Sequence, residues 1–402
     1  MSRRADSAKT VAALVVLVLG LVSGADPAVS QEGDTGGQRG AGVALDAPKL
    51  EAKSWALIDA DTGLYLAGKN PDERLPIAST TKVMVALVAL EEEGVDLDEE
   101  VIVSKEAERF VGFTFSNIGL IAGERLSVHD LLVATLVPSG TEAVYALAEH
   151  LGDGSVKRFV QKMNAKASQM GLQNTHFEDP AGLDASGHYS SARDLAAISR
   201  AAMEHPLFKE IVAMKEATIH TQNREIEVFN TNSLLYTYPE ASGVKTGTSP
   251  EAGPCLVAAA KDSDESYIAV VLDAKSEDYR FEAAQVALGY GFESFEWRAL
   301  VEEGKVYEES GLPYRRGESV GLAAEEEVLG LAGPGLQTER RITEKEPPPG
   351  ARAGQQLGTV EVLVDGQSIG STPLVTEKGY EEASLWQKIK YWVGGLVERV
   401  SG

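Results

Sequence analysis

Apolar and polar positions change their period along the chain, and the changes predict its elements. Two short apolar runs, residues 55–58 and 64–67, flank Asp59-Ala60-Asp61-Thr62-Gly63. Short apolar runs around an Asp- and Gly-rich turn predict a β-hairpin. After Ser79 the period becomes helical, with Val83, Leu87 and Leu90 on one face and a stop at Glu91-Glu92-Glu93-Gly94. Residues 128–136, 142–151, 156–170 and 192–203 repeat that helical period, the last after Ser190 and Ser191 as caps. Strands return at 256–260 and 267–272, followed by a helix over 279–289. Strands at both ends with helices between them predict an α+β domain whose terminal strands share one antiparallel sheet.

From Trp297 the pattern shortens to alternating segments. Residues 360–364 and 368–370 flank Asp365-Gly366, a strong hairpin signal. Glu346-Pro347-Pro348-Pro349-Gly350 reads as an exposed turn. The last residues change again. Trp386, Ile389, Val393, Leu396 and Val400 fall on one helical stripe, with Trp392 and Val397 beside it and Lys388, Lys390 and Arg399 at the rim. That is the pattern of a helix lying in a membrane interface, against the alternative of a helix docked on its own domain. Gly394-Gly395 weakens it by about 1 kcal/mol per glycine relative to alanine.

The chain start has its own pattern. Arg3, Arg4 and Lys9 precede an uncharged run over 11–22, and small residues follow at Ala25, Ala28 and Ser30. This predicts a secretory signal over 1–30, with an uncleaved anchor as the alternative. A flexible Gly-rich leader follows over 31–46. The expected organisation is then a catalytic domain over 47–296, a small β-rich domain over 297–376 and an amphipathic membrane-associating helix over 377–402. The chain has 402 residues, enough for two domains, and 43% apolar residues, enough for ordinary cores. A net charge of −24 argues against nucleic acid as a partner. Cys255 is the single cysteine, so no intramolecular disulfide is possible, and its apolar surroundings predict a buried thiol.

Chemistry enters at Ser79-Thr80-Thr81-Lys82. Serine and lysine three apart at a helix start share a face. A serine hydroxyl needs a base to become a nucleophile, and a lysine with a depressed pKa supplies a neutral amine. Alone the pattern is weak. Ser139-Gly140-Thr141 lies between two predicted helices, and Lys245-Thr246-Gly247 precedes the strand containing Leu256. S-x-x-K, an S-x-N-like loop and K-T-G in this order are the signature set of penicillin-binding proteins and related β-lactamases.

The chain resembles the D-Ala-D-Ala carboxypeptidase branch of the low-molecular-mass penicillin-binding proteins over roughly residues 50–400. Pro76-Ile77-Ala78 before the serine, Gly171-Leu172-Gln173-Asn174-Thr175-His176-Phe177 and Gly187-His188-Tyr189-Ser190-Ser191-Ala192-Arg193-Asp194-Leu195 add to the likeness. It is specific in the catalytic part and looser after Trp297. The resemblance implies a transpeptidase-type domain, an antiparallel sheet flanked by helices with a helical subdomain. It implies that Ser79 attacks the penultimate D-alanine carbonyl of wall stem peptides, that Lys82 takes the serine proton and that Ser139 relays protons. It also implies that the amides of Ser79 and Thr248 form an oxyanion hole. Lys245, Thr246 and Gly247 would hold the substrate carboxylate side, and β-lactam antibiotics would acylate the same serine. No cofactor and no metal are called for.

One departure stands out. The third position of the middle motif is asparagine in the family and Thr141 here. A threonine hydroxyl is shorter than an amide, so a slower or narrower enzyme is expected. A catalytically weak protein that binds penicillin or wall peptides is one alternative. A D,D-endopeptidase is another. A β-lactamase is disfavoured because no Glu-x-x-Leu-Asn string follows the middle motif. Gly317-Glu318-Ser319-Val320-Gly321 matches a nucleophile elbow only formally and reads as a turn into a strand. The six histidines, at 129, 150, 176, 188, 205 and 220, show no metal-ligand spacing, and His176 and His188 read as structural.

Overall fold

The computed structural model describes the backbone of residues 46–112 and 114–401, with side chains up to residue 394. The expected signal segment and nearly all of the expected leader lie outside the described residues.

Strand β1 (Ala52–Asp59) turns into β2 (Tyr65–Lys69) at the expected hairpin. Asp59 Oδ1 accepts the Thr62 N–H at 2.7 Å and Gly63 takes φ +76°, which closes the turn. A 3-10 turn (Ala78–Thr81) leads into α1 (Lys82–Glu91). Then come β3 (Glu100–Ile102), α2 (Lys105–Glu108), β4 (Arg125–Ser127) and α3 (Val128–Leu136). Helices α4 (Thr141–Leu151), α5 (Val156–Gln169), α6 (Ala192–Met203) and α7 (Pro206–Ala213) complete the helical middle. Serines at 127, 155 and 191 cap α3, α5 and α6 through their hydroxyls. A hairpin of β5 (Glu216–His220) and β6 (Glu225–Phe229) and a short α8 (Leu234–Thr237) precede β7 (Ala241–Ser249). Strands β8 (Gly253–Asp262) and β9 (Glu265–Ala274) and helix α9 (Tyr279–Ser294) follow.

The main sheet runs β2-β1-β9-β8-β7, antiparallel throughout. Its strands join from both ends of this region, as the pattern predicted. Side-chain alternation divides it into two cores. Ala56, Ile58, Val257, Ile268 and Val270 face the helices of the middle region. Trp55, Leu57, Leu256, Ala258, Tyr267 and Val271 face α9. Being covered on both faces is why β1, β8 and β9 read as continuous apolar runs.

The second core continues into an all-β region. It holds β10 (Glu296–Val301), β11 (Val306–Gly311), β12 (Ser319–Ala324), β13 (Val328–Ala332), β14 (Thr338–Glu344), β15 (Gln356–Val364) and β16 (Gln367–Thr376). One sheet runs β11-β12-β16-β15-β14, and β10 pairs with β13. Asp365 and Gly366, at φ +49° and +79°, join β15 to β16 at the expected hairpin. Ser319 opens β12, so the formal elbow is a turn into a strand.

Helix α10 (Leu385–Ser401) begins with a capping box, in which Ser384 and Gln387 bond each other's side chains and backbone amides. Trp386, Ile389, Trp392 and Val393 are exposed on it, while Tyr391 meets Tyr314 edge-on at 5.7 Å. Among the described residues no helix is long and apolar enough to cross a membrane. The side chains of Leu396, Val397, Arg399 and Val400 lie outside the described residues.

Candidate active site

As expected, a helix follows Ser79, which itself sits in the 3-10 turn, with α1 beginning at Lys82. Residues three apart eclipse in a 3-10 turn, so the two side chains meet. Lys245, Thr246 and Gly247 precede the strand that contains Leu256, as expected, and themselves lie inside β7, the edge strand of the sheet, where they pair with Val257, Leu256 and Cys255 of β8.

The turn is tightly held. Ala78 adopts φ +45°, and the Thr80 hydroxyl donates to the Ile77 carbonyl at 2.6 Å. Lys82 is fully buried beneath it. Its Nζ lies 2.9 Å from Ser79 Oγ, 3.0 Å from the Ser139 carbonyl and 3.2 Å from Ser139 Oγ. A carbonyl only accepts, whereas either hydroxyl can donate, so a neutral amine satisfies all three contacts. Burial lowers the Lys82 pKa to about 7, against the opposing pull of Asp179 and Glu142.

Ser139 sits between α3 and α4 with φ +67°, an uncommon conformation for a side-chain-bearing residue. The loop is pinned by Gly140 N–H to the Ala134 carbonyl and by Thr141 N–H to the Ser116 carbonyl, both 2.8 Å. Thr141 is the buried first residue of α4, and its hydroxyl bonds no other described residue. The next residue, Glu142, is wholly buried and accepts the Ile118 and Gly119 amides at 2.7 and 3.0 Å. It thereby fixes the 116–120 loop that holds Thr141.

Lys245 is also buried, and its pKa is pushed well below the lysine range by burial, then by Lys82 and Arg280. The Thr246 hydroxyl bonds that of Thr231 at 2.6 Å. Gly247 is where β7 meets the serine turn. A Cβ there would lie 2.9 Å from the Ile77 carbonyl and 3.0 Å from the amide nitrogens of Ser79 and Thr80. Only glycine leaves the Ser79 amide open to an incoming atom. The Thr248 hydroxyl accepts from Arg280 Nη1 at 2.7 Å, and the same nitrogen reaches the Gly247 carbonyl at 3.2 Å.

The structure thus gathers Ser79, Lys82, Ser139, Thr141, Lys245, Thr246, Gly247 and Thr248 around one cleft. Sequence reasoning missed three other participants. Arg280 comes from α9, and Thr231 from the segment after β6. The loop 178–184 presses on the serine turn, since a Cβ at Gly182 would lie 1.9 Å from the Ala78 carbonyl. His188 is a structural polar residue, as expected: it accepts the Glu178 N–H at Nδ1 and so donates from Nε2 to Thr81 Oγ1, at 2.8 Å. Burial lowers its pKa, which favours that neutral form. The Asp-Pro-Ala-Gly string at 179–182 was the available turn signal for the loop.

Fold and cleft together define a serine acyl-transfer enzyme of the penicillin-recognising type, and comparison with known proteins narrows that class. Residues 41–276 match the family model described as D-alanyl-D-alanine carboxypeptidase. The chain is 31% identical over 353 residues to D-alanyl-D-alanine carboxypeptidase DacF of Bacillus subtilis, covering 86% of this chain and 90% of that one. Penicillin binding protein 5 from Haemophilus influenzae superposes with a TM-score of 0.65 at 32% identity, over 84% of this chain and all of that one. The Streptomyces K15 DD-transpeptidase matches with a TM-score of 0.60 at 37% identity, covering 62% of this chain and 100% of its own. The chain belongs to the D-alanyl-D-alanine carboxypeptidase family, and it is a serine peptidase with penicillin-binding function.

Proposed function

We propose that this protein removes the terminal D-alanine from wall stem peptides ending D-Ala-D-Ala through an acyl-enzyme on Ser79. The observation that carries the assignment is the 2.9 Å contact between Ser79 Oγ and a fully buried Lys82 whose pKa falls to about 7. Neutral Lys82 takes the Ser79 proton as Oγ bonds to the carbonyl carbon. The carbonyl oxygen becomes an oxyanion, held by the backbone amides of Ser79 and Thr248. When the C–N bond breaks, the proton on Lys82 passes by way of Ser139 Oγ to the leaving amine, and D-alanine departs. Water then adds to the ester with Lys82 again as base, and Ser79 leaves with its proton restored.

The substrate carboxylate meets the Thr246 hydroxyl and the positive side of the cleft, Lys245 and Arg280. An arriving carboxylate restores the charged form of Lys245, which burial alone disfavours. Arg280 holds the Thr248 hydroxyl and so positions the oxyanion-hole amide. Penicillins acylate Ser79 by the same attack.

The protein acts outside the cytoplasmic membrane, in the cell envelope. The basic, apolar and small-residue start supports export. The exposed Trp386, Ile389, Trp392 and Val393 on α10 support attachment to the membrane surface rather than docking of that stripe on the protein.

The test pairs a fluorescent penicillin with a D-Ala-D-Ala peptide. Labelling and released D-alanine, both lost in Ser79→Ala, are expected. Labelling without D-alanine would leave only a penicillin-binding role, and no labelling would remove the mechanism.

A further inference from the structure

The loop 178–184 ties both walls of the catalytic cleft to the serine turn. At its start the Tyr145 hydroxyl of α4 donates to Asp179, and Asp179 Oδ1 accepts the Ala181 and Leu183 amides at 2.8 and 3.1 Å. At its end Asp184 accepts the Ser249 hydroxyl and, at 3.2 Å, the Glu251 N–H, where β7 turns into β8. Between them Gly182, at φ +82°, packs against the serine turn. A Cβ there would come within 2.7 Å of Thr81 Oγ1 as well as striking Ala78. The serine turn therefore rests on a bridge between α4 and β7.

Asp179 holds the α4 end of that bridge. All three of its partners donate, the pattern of a carboxylate rather than a carboxylic acid. The two amides fold the loop around it, and the phenol fixes it to the helix that opens with Thr141 and Glu142. Tyr145 stays a donor, because burial and then Asp179 push its ionisation up.

The carboxylate also acts on the base. The charged groups around Lys82 come from three elements: Lys245 on β7, Glu142 on α4 and Asp179 on the loop. Burial lowers the Lys82 pKa, and of the two carboxylates that raise it again Asp179 has the larger influence. Glu142 is spent on the amides of Ile118, Gly119 and Leu120. No step of acyl transfer uses Asp179 directly. We propose that Asp179 is a positioning residue for that transfer: it locks the loop against the serine turn and supplies negative charge to the surroundings of the Lys82 amine. This role rests on the acyl-transfer reading above and adds the residue that sets where on the pH scale the transfer works.

The experiment follows kcat/KM for D-alanine release, and the rate of penicillin labelling, against pH in full-length wild type, Asp179→Asn and Tyr145→Phe. Asparagine keeps the shape. Its carbonyl oxygen accepts the two amides and its NH2 donates to the Tyr145 oxygen, so only the charge is lost. The same loss lowers the His188 pKa, which keeps the neutral form that donates to Thr81. The acid limb of Asp179→Asn should move about one pH unit further to acid. At about pH 6 its kcat/KM should then stand about fivefold closer to its plateau than in the wild type. Mere loosening of the fold would do the reverse, because a Lys82 let into water climbs back towards 10.5 and takes the limb to alkaline. Tyr145→Phe keeps the charge but frees the loop from α4, so its plateau should fall about fivefold with no acid shift of the limb. A limb that stays in place or moves to alkaline in Asp179→Asn would overturn the proposal. So would an acid shift or an unchanged plateau in Tyr145→Phe. Penicillin separates the two readings: labelling whose acid limb ignores Asp179→Asn overturns this role alone, whereas no Ser79-dependent labelling in the wild type overturns the acyl-transfer reading beneath it.

Discussion

The region around the main sheet and the all-β region after it bury different things. The first encloses Lys82, Lys245, Glu142, His188 and Arg280, each less than a tenth exposed. In the second, the buried polar residues among those described are Ser310, Thr372 and Thr376, all hydroxyls. Two of these hold neighbouring turns in place: Thr372 accepts the Glu326 N–H at 3.0 Å, and Thr376 donates to the Arg352 carbonyl at 2.6 Å. Burying an ionisable group costs several kcal/mol unless it is paired or neutralised. The sheet region carries that cost where acyl transfer needs a neutral amine, and the β region carries none. Among the described residues the two buried lysines, Lys82 and Lys245, therefore mark where chemistry is done, while the buried carboxylates Asp59, Glu124 and Asp194 are held by hydrogen bonds elsewhere and apolar burial holds the whole in place.

The largest expected effect tests that division at Lys82. Lys82→Met should lower kcat/KM for D-alanine release by about 10³-fold or more, the upper range for a general base. It should not lower Tm, because a buried amine becomes a buried thioether. In the wild type the active form is the neutral amine, so kcat/KM should fall about tenfold per pH unit below about pH 7. The stability effect has its own sign. The folded pKa lies below the unfolded value of 10.5, so the penalty is full below about pH 7 and fades as pH rises towards 10.5. A Tm gain in Lys82→Met should thus be greatest on the acid side. A Lys82→Met protein that unfolds early would break the comparison.

The mirror experiment lies in the β region. Leu374 is fully buried on β16, and Leu374→Ala should cost about 2–5 kcal/mol in denaturant unfolding. Its kcat/KM for a soluble peptide should match the wild type under conditions where both are folded. A loss of turnover would mean that the shared core transmits packing changes into the cleft.

Gly247→Ala joins the two kinds of effect in one methyl group. The new Cβ would crowd the Ile77 carbonyl and the Ser79 and Thr80 amides at about 3 Å. Displacing an oxyanion donor by a fraction of an ångström should cost about 10² in kcat/KM. Penicillin labelling should slow in parallel, since the same amide serves both acylations. Full activity in Gly247→Ala would remove the Ser79 amide from the mechanism.

What was legible beforehand follows the range of the interactions. Helices 128–136 and 192–203 were readable because their period and serine caps are local. The serine–lysine pair was readable because three residues of separation place both on one face in either helix type. Lys245 was found as a motif but not as part of a strand. Its run, Ser242-Gly243-Val244-Lys245-Thr246-Gly247, is small and polar, and only pairing with β8 makes it a strand. Arg280 carried no local signal, and the Asp-Pro-Ala-Gly string ending at Gly182 signalled a turn but not what it packs against. Their roles arise from contacts across more than thirty residues of chain, Arg280 to Thr248 and Gly182 to Ala78, which periodicity does not encode.

The smallest expected effect concerns Thr141, where the motif departs from its family. Its backbone is committed, because the N–H bonds the Ser116 carbonyl and the residue opens α4. Its hydroxyl is not, since it reaches no other described residue. An asparagine there would extend an amide that donates to a substrate carbonyl while accepting from a lysine, two contacts that a hydroxyl of this length does not span together. One recovered hydrogen bond is worth about 1 kcal/mol, or roughly fivefold. Thr141→Asn should therefore raise kcat/KM for a D-Ala-D-Ala peptide about fivefold, with little change in Tm because the site has no partner to lose. Steady-state turnover of both proteins on one peptide decides it. No gain would mean that threonine already makes the productive contact, and the buried lysines rather than the middle motif would then set the rate.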